Sequence, residues 1–239
     1  TCWSFATTSL VESEAINKDE AASDIDLSEM FFARVMYREK AEQYVRYHGD
    51  ARFSQGGLSH DVMYVIDNFG YVPEEVFRGN RKEDERHNHS EMFNVLKGIV
   101  DGVLDTRGEI SHKWSVAYDK VLDTYLGEIP EKFEYKGKEY TPKSFADAMG
   151  INPDDYVELT SFSHHPFYEK FVLEIPDNWR HARYYNVPLD DLVSTMENAM
   201  AEGYTVAWDG DVGEKYFEMS EGYSAVPVSD TLDMKKDFP

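Results

Sequence analysis

The sequence predicts an α+β protein whose helices come first and whose strands gather toward the end. Three observations carry that expectation. Apolar residues recur at helical spacing in five runs before residue 130. Residues 133–140 alternate and turn on a central Gly137. After Gly203, Tyr204-Thr205-Val206-Ala207-Trp208 is rich in β-branched and aromatic residues, as strands are.

The first helix is expected to begin at Cys2. Trp3, Phe5, Ala6, Leu10, Val11 and Ala15 make its apolar side, and Glu12, Glu14, Lys18 and Asp19 its wet side. An acidic loop, Asp19 to Asp26, follows. Ser28 or Asp26 caps a second helix running through Phe31, Phe32, Val35, Met36 and Ala41 to Tyr47. Past Phe53-Ser54-Gln55-Gly56-Gly57, a third helix carries Val62, Met63, Val65, Ile66 and Phe69 and stops at Gly70. Two more helices span Glu91–Val103 and Trp114–Leu126. After the hairpin at 133–140, Thr141-Pro142 opens another helix, with proline in its first turn, and Gly150 closes it. Asp190–Glu202 is helical and stops at Gly203. Residues 204–208 and 222–226 read as strands.

The 239 residues are ample for a sizeable core, and 14% aromatic content marks a chain that folds. The formal charge of -22 argues against nucleic acid, which asks for basic patches, and against anionic membranes. It mildly favours cationic substrates such as peptides with a free amino end, although a simply soluble acidic surface is the stronger explanation. No apolar run approaches the length of a membrane span. One cysteine allows no internal disulfide, which is compatible with a reducing compartment.

That cysteine, Cys2, is the first candidate for chemistry. At a helix N-terminus, unpaired N–H groups and the positive end of the dipole favour the thiolate, a nucleophile for acyl transfer. The alternative is a small buried hydrophobe, the usual fate of a lone cysteine. The surrounding Cys2-Trp3-Ser4-Phe5-Ala6 resembles the active-site motif of papain-like cysteine peptidases, in which the nucleophile opens the central helix. The order of later segments extends the resemblance: Leu27-Ser28-Glu29, Gln55-Gly56-Gly57, Gly70 and Val72-Pro73-Glu74-Glu75. In that family the paired-glycine segment lines the cleft and bonds the substrate backbone like an added strand. Here that implies Gln55, Gly56 and Gly57 as substrate-binding residues; without Cys2 they would read as a loop and helix entry. Ser54 stands where many members have a disulfide cysteine, which fits the intracellular branch.

Within the family, Thr141-Pro142-x-x-Phe145, Asn152-x-Asp154-Asp155-Tyr156-Val157-x-Leu159-Thr160, Tyr185-Asn186-Val187-Pro188 and Trp208-x-Gly210-Asp211-Val212-Gly213 resemble the bleomycin hydrolase / aminopeptidase C branch. The resemblance implies a papain-like fold with a large helical insertion: a helical lobe over 1–75 with the nucleophile helix, a mostly helical insertion over 76–188, and over 189–239 the start of a β-rich second lobe, only partly present.

In this chemistry a histidine protonates the leaving amine and a third polar group orients it. The family places both after the strand resembling 204–208. The eight histidines here, at 48, 60, 87, 89, 112, 164, 165 and 181, all precede it. The catalytic histidine and asparagine are therefore expected outside this chain. The glutamine that helps stabilise the oxyanion is expected before residue 1, as the N-terminal part of a longer protein. His164-His165, at a papain-like distance from Cys2 and followed by Asn178-Trp179, is set aside: it precedes the second-lobe strand, and Pro166 follows it. His87-Asn88-His89, near Glu83, Asp84 and Glu91, lacks a zinc-site spacing and reads as a solvated polar loop. The acidic run Glu12 to Asp26 lacks the calcium-loop pattern and reads as a solvated face. No metal and no cofactor is expected.

The resemblance implies a cysteine aminopeptidase acting on peptide substrates through an acyl-enzyme, assembled as a homohexamer, cytoplasmic unless a secretory signal precedes residue 1. Two other readings stay open: a papain-like endopeptidase, and an inactive papain-like binding or assembly module, which the missing histidine motivates.

Overall fold

The computed structural model describes residues 1–18, 24–80, 87–210, 213, 217–218 and 220–224. The chain is mixed α+β and forms two compact units, Thr1–Ala207 and Trp208–Pro239. No described helix is long and apolar enough to cross a membrane.

The first unit opens with α1 (Cys2–Lys18), α2 (Glu29–Arg46) and α3 (Ser59–Phe69), which pack on one another. The buried side of α1 differs from the expected one. Trp3, Ser4, Thr7, Thr8, Val11 and Ala15 face the core, while Phe5 and Ala6 face outward. Two of the three buried hydroxyls are satisfied by backbone carbonyls: Thr7 donates to its own helix at Trp3 O (2.9 Å), and Ser4 to Glu29 O (2.9 Å), while Thr8 Oγ1 is buried without a partner. Glu12 is not on a wet face either. Its Oε1 accepts the Leu27 N–H at 2.7 Å, and burial raises its pKa. Asp19 and the loop residues 20–23 lie outside the described residues.

Ser28 caps α2, accepting the Phe31 N–H at 3.0 Å and donating to the Phe77 carbonyl. Leu27 pairs with Pro73 in an antiparallel bridge, flanked by Ser28 N to Val72 O (3.0 Å) and Glu74 N to Asp26 O (2.8 Å). Two segments recognised separately in the sequence therefore form one short pairing. At the end of α3, Gly70 takes φ +78°, and the Pro142 carbonyl occupies the space of a side chain.

Helices α4 (Ser90–Leu104) and α5 (Lys113–Leu126) pack together and against α2, where Arg34 reaches the Asp123 carboxylate at 2.7 Å. Strands β1 (Phe133–Tyr135) and β2 (Lys138–Tyr140) form the expected hairpin; Lys136 and Gly137, both at positive φ, make its turn. Phe133, Tyr135 and Tyr140 surround the buried Phe145 of α6 (Pro142–Met149). That helix is capped by Thr141 and closed by Gly150 in the left-handed conformation.

The stretch 76–188 is not helical to its end. Strands β3 (Leu159–Thr160), β4 (Glu169–Val172) and β5 (Arg183–Asn186) form a sheet in the order β3-β5-β4, with β3 parallel and β4 antiparallel to β5. Then α7 (Leu189–Ala201), followed by Gly203 at positive φ, leaves Leu189, Val193 and Met200 exposed. Residues 204–208 are not a strand. Tyr204, Val206 and Trp208 are exposed, and no described strand pairs with them, so their β propensity goes unused. In the second unit, β6 (Phe217–Glu218) pairs antiparallel with β7 (Tyr223–Ser224). Ala225 and Val226, expected to continue that strand, and Asp211 and Val212 of the Trp208 motif lie outside the described residues.

Candidate active site

Cys2 is the first residue of α1, and its side chain is exposed. The buried-hydrophobe alternative for this cysteine does not hold. In the first turn the Ser4 and Phe5 N–H groups donate to the Thr1 carbonyl (3.0 and 3.3 Å), so what the helix offers a negative charge at this position is the positive end of its dipole and the N–H groups of Cys2 and Trp3, which precede the first intrahelical bonds.

The neighbouring Trp3 points inward. Its indole N–H donates to the Gln55 carbonyl at 3.3 Å. Its ring fills the space beside Gly57, where a Cβ would stand 2.8 Å from Trp3 Cε2 and 2.9 Å from Asp61 Oδ2. Gln55, Gly56 and Gly57 are thus fastened to the residue that follows Cys2. The space of a side chain at Gly56 is taken by the Asp177 carboxylate, which also accepts from the Ser54 hydroxyl at 3.0 Å. At both glycines the close approach is made by the chain's own side chains; at Gly57 the buried Trp3 ring requires glycine, whereas at Gly56 the neighbour is the end of the half-exposed Asp177 side chain.

Beneath this segment lies a set that the sequence did not single out. Lys40 of α2 is buried. Its ammonium donates to the carbonyls of Gly56 and, at 3.4 Å, Ser54, and lies 5.7 Å from the centre of the Trp179 ring. Buried Asp61 accepts from the Leu58 N–H and the Trp179 indole N–H, each at 3.1 Å. Burial pushes the Asp61 carboxyl up and the Lys40 ammonium down, while their mutual attraction opposes both shifts. The one signal was spacing: Lys40 falls four residues after Met36, on the apolar side of α2. Asn178-Trp179 is likewise structural. Asn178 is buried and bonds Leu173 and Ala182.

The histidines divide. His164 and His165 converge on one oxygen of Glu174, at 3.0 and 3.1 Å. The loop 87–89 is not simply solvated. His89 is buried, its Nδ1 lies 3.3 Å from the Tyr37 hydroxyl, and burial, then the neighbouring His87, depress its pKa to about 4. The His87 ring lies 5.9 Å from that of Phe5, against the outer side of α1. The loop is carried there by α4, which packs on α2. Glu83 and Asp84 lie outside the described residues.

Compared with known protein families and with curated proteins, the chain matches none.

Proposed function

We propose that this chain is the nucleophile-bearing part of a papain-like cysteine peptidase of the bleomycin hydrolase / aminopeptidase C kind, hydrolysing N-terminal residues from peptides. The observation that carries the reading is the union of an exposed Cys2 at the start of α1 with the Trp3–Gln55 hydrogen bond, which holds the Gly56-Gly57 segment beside that helix end.

The Cys2 thiolate attacks the scissile carbonyl carbon, and the oxyanion that forms is stabilised by the Cys2 backbone N–H. The C–N bond breaks as the amine takes a proton from a general acid, leaving a thioester on Sγ. Water then attacks the thioester, releasing the acid and restoring the thiol. In the resembling family the general acid is a histidine that follows the counterpart of 204–208, and the last histidine of this chain is His181. Exposed apolar residues on α7 and over 204–208 support reading 189–239 as the beginning of a second lobe. A homohexamer in the cytoplasm, acting on peptides with free amino ends, belongs to the same proposal.

The test is to treat the protein, as isolated from its source, with a peptidyl epoxide and record its intact mass. One label on Cys2, together with cleavage of free-amino aminoacyl-coumarin substrates but not N-blocked ones, is expected. Cleavage of N-blocked substrates would assign an endopeptidase. An unlabelled Cys2 at neutral pH would leave the binding-module reading.

A further inference from the structure

His164, His165 and Glu174 bring their ligand atoms within 4.8 Å of one another, the one such group among the described residues. They lie outside the strands of the β3-β5-β4 sheet, His164 and His165 in the connection from β3 to β4 and Glu174 just past the end of β4. We propose that they form a binding site for a divalent cation of the zinc class. This proposal does not rest on the peptidase reading.

The first argument is convergence. Both imidazole Nε2 atoms address the same carboxylate oxygen, Glu174 Oε2, at 3.0 and 3.1 Å. Zinc bonds to imidazole nitrogen and carboxylate oxygen are about 2.0–2.2 Å, so tetrahedral geometry sets ligand atoms about 3.3–3.5 Å apart. The two nitrogen–oxygen distances need to open by only a few tenths of an ångström to admit an ion, and the third pair of ligand atoms lies within 4.8 Å. Coordinating an ion through Nε2, two neutral imidazoles and one carboxylate would make a donor set of net charge −1, and a chain at -22 adds long-range attraction for a cation.

The second argument is that both segments are already fixed. The loop 162–166 is stitched to the fully buried Asn186: the Phe162 N–H donates to Asn186 Oδ1 (2.8 Å), and Asn186 Nδ2 donates to the carbonyls of Phe162 (2.9 Å), His165 (3.0 Å) and Pro166 (3.2 Å). The His165 ring stacks on Phe171 with centroids 3.9 Å apart, and the Phe162 edge abuts His164. On the other side, buried Asn178 donates to the carbonyls of Leu173 and Ala182 and accepts the Ala182 N–H, which holds the segment that carries Glu174. A site so held loses little freedom on binding. The third argument is access. The side chains of His164 and Glu174 are 48% and 64% exposed, which leaves a fourth coordination position to water.

The probe is zinc chloride alone, titrated calorimetrically into the full chain after Cys2 has been blocked with iodoacetamide, so that the thiol is not a ligand. The expected result is one ion per chain with a micromolar or lower Kd. His164→Ala, His165→Ala and Glu174→Gln should each weaken it by more than about tenfold, since losing even an outer partner of a metal ligand costs about 10–100-fold. Circular dichroism of each variant shows whether its fold is kept, and cobalt substitution gives an independent readout in a visible band of four-coordinate intensity. No saturable zinc binding below 100-fold excess, or binding that survives in folded His165→Ala, overturns the proposal.

Discussion

The space that a side chain at Gly57 would need is filled by the indole of Trp3, which stands 2.8 Å from where a Cβ would be. Asp61 Oδ2 stands 2.9 Å from the same point, so the methyl would press on two buried side chains at once. Gly57→Ala is expected to cost about 1–3 kcal/mol, the range for overpacking a well-packed interior. Urea denaturation measures it. If Cys2 is a nucleophile held beside this segment, kcat/KM on a peptide substrate falls by more than the fraction of unfolded protein explains.

Two other glycines behave oppositely. Gly98 and Gly102 lie within α4, and nothing stands within 4 Å of a Cβ at either. Each alanine replacement should stabilise by about 0.5–1 kcal/mol, because glycine loses more backbone freedom on entering a helix. A thermal melt of the double variant reads the sum, and a fall in Tm contradicts this account of α4.

Glu29 sits where burial raises its carboxyl to about 7, with repulsion from Glu74, Glu12 and Asp26 adding to the shift. Between its ordinary pKa of 4.5 and about 7, the folded chain binds more protons there than the unfolded chain does. This group therefore makes stability fall as pH rises through that window. Glu29→Gln, which cannot ionise, should resemble the parent near pH 4.5 and exceed it in stability at pH 8. Urea midpoints at the two pH values decide; a difference that does not change with pH contradicts the prediction.

Lys40 offers a test of the buried set beneath the glycines. Lys40→Ala removes the donor to the Gly56 and Ser54 carbonyls and opens a cavity beside Trp179, at an expected cost of about 2–4 kcal/mol. Lys40→Met keeps most of the stem and should cost less. Chemical denaturation ranks the pair, and equal losses would mean that packing of the stem is immaterial.

What the residues disclosed in advance depended on how local the cause was. Gly70, Gly137 and Gly150 end or turn their elements through their own backbone conformations, and Thr141 caps the helix it precedes; each is visible in a few adjacent letters. The buried side of α1 was hidden because Ser4 and Thr7 look polar until the carbonyls that accept from them are in place. The sheet escaped notice for a different reason. Glu169, Lys170 and Arg183 put charges on both faces of its strands, and β3 meets β5 in parallel across more than twenty residues. Residues 204–208 show the converse error, a strong strand composition with no described strand beside it. At the candidate site, Cys2 and the glycines were legible as letters. Lys40, Asp61 and Asp177, which fix where the glycines lie, come together only in three dimensions.

The bridge between Leu27 and Pro73 closes a ring of about 45 residues that contains α2, α3 and the paired glycines. Joining the ends of such a loop in a free chain forfeits roughly 3 kcal/mol of entropy beyond a constant. The bridge is short, so it gains by forming after α2 and α3 have packed on each other and shortened the effective distance between its ends. In refolding it should act as a late latch. A single proteolytic cut at the exposed His48–Gly49 corner would leave both pieces clasped, because each half of the ring keeps its own end of the bridge.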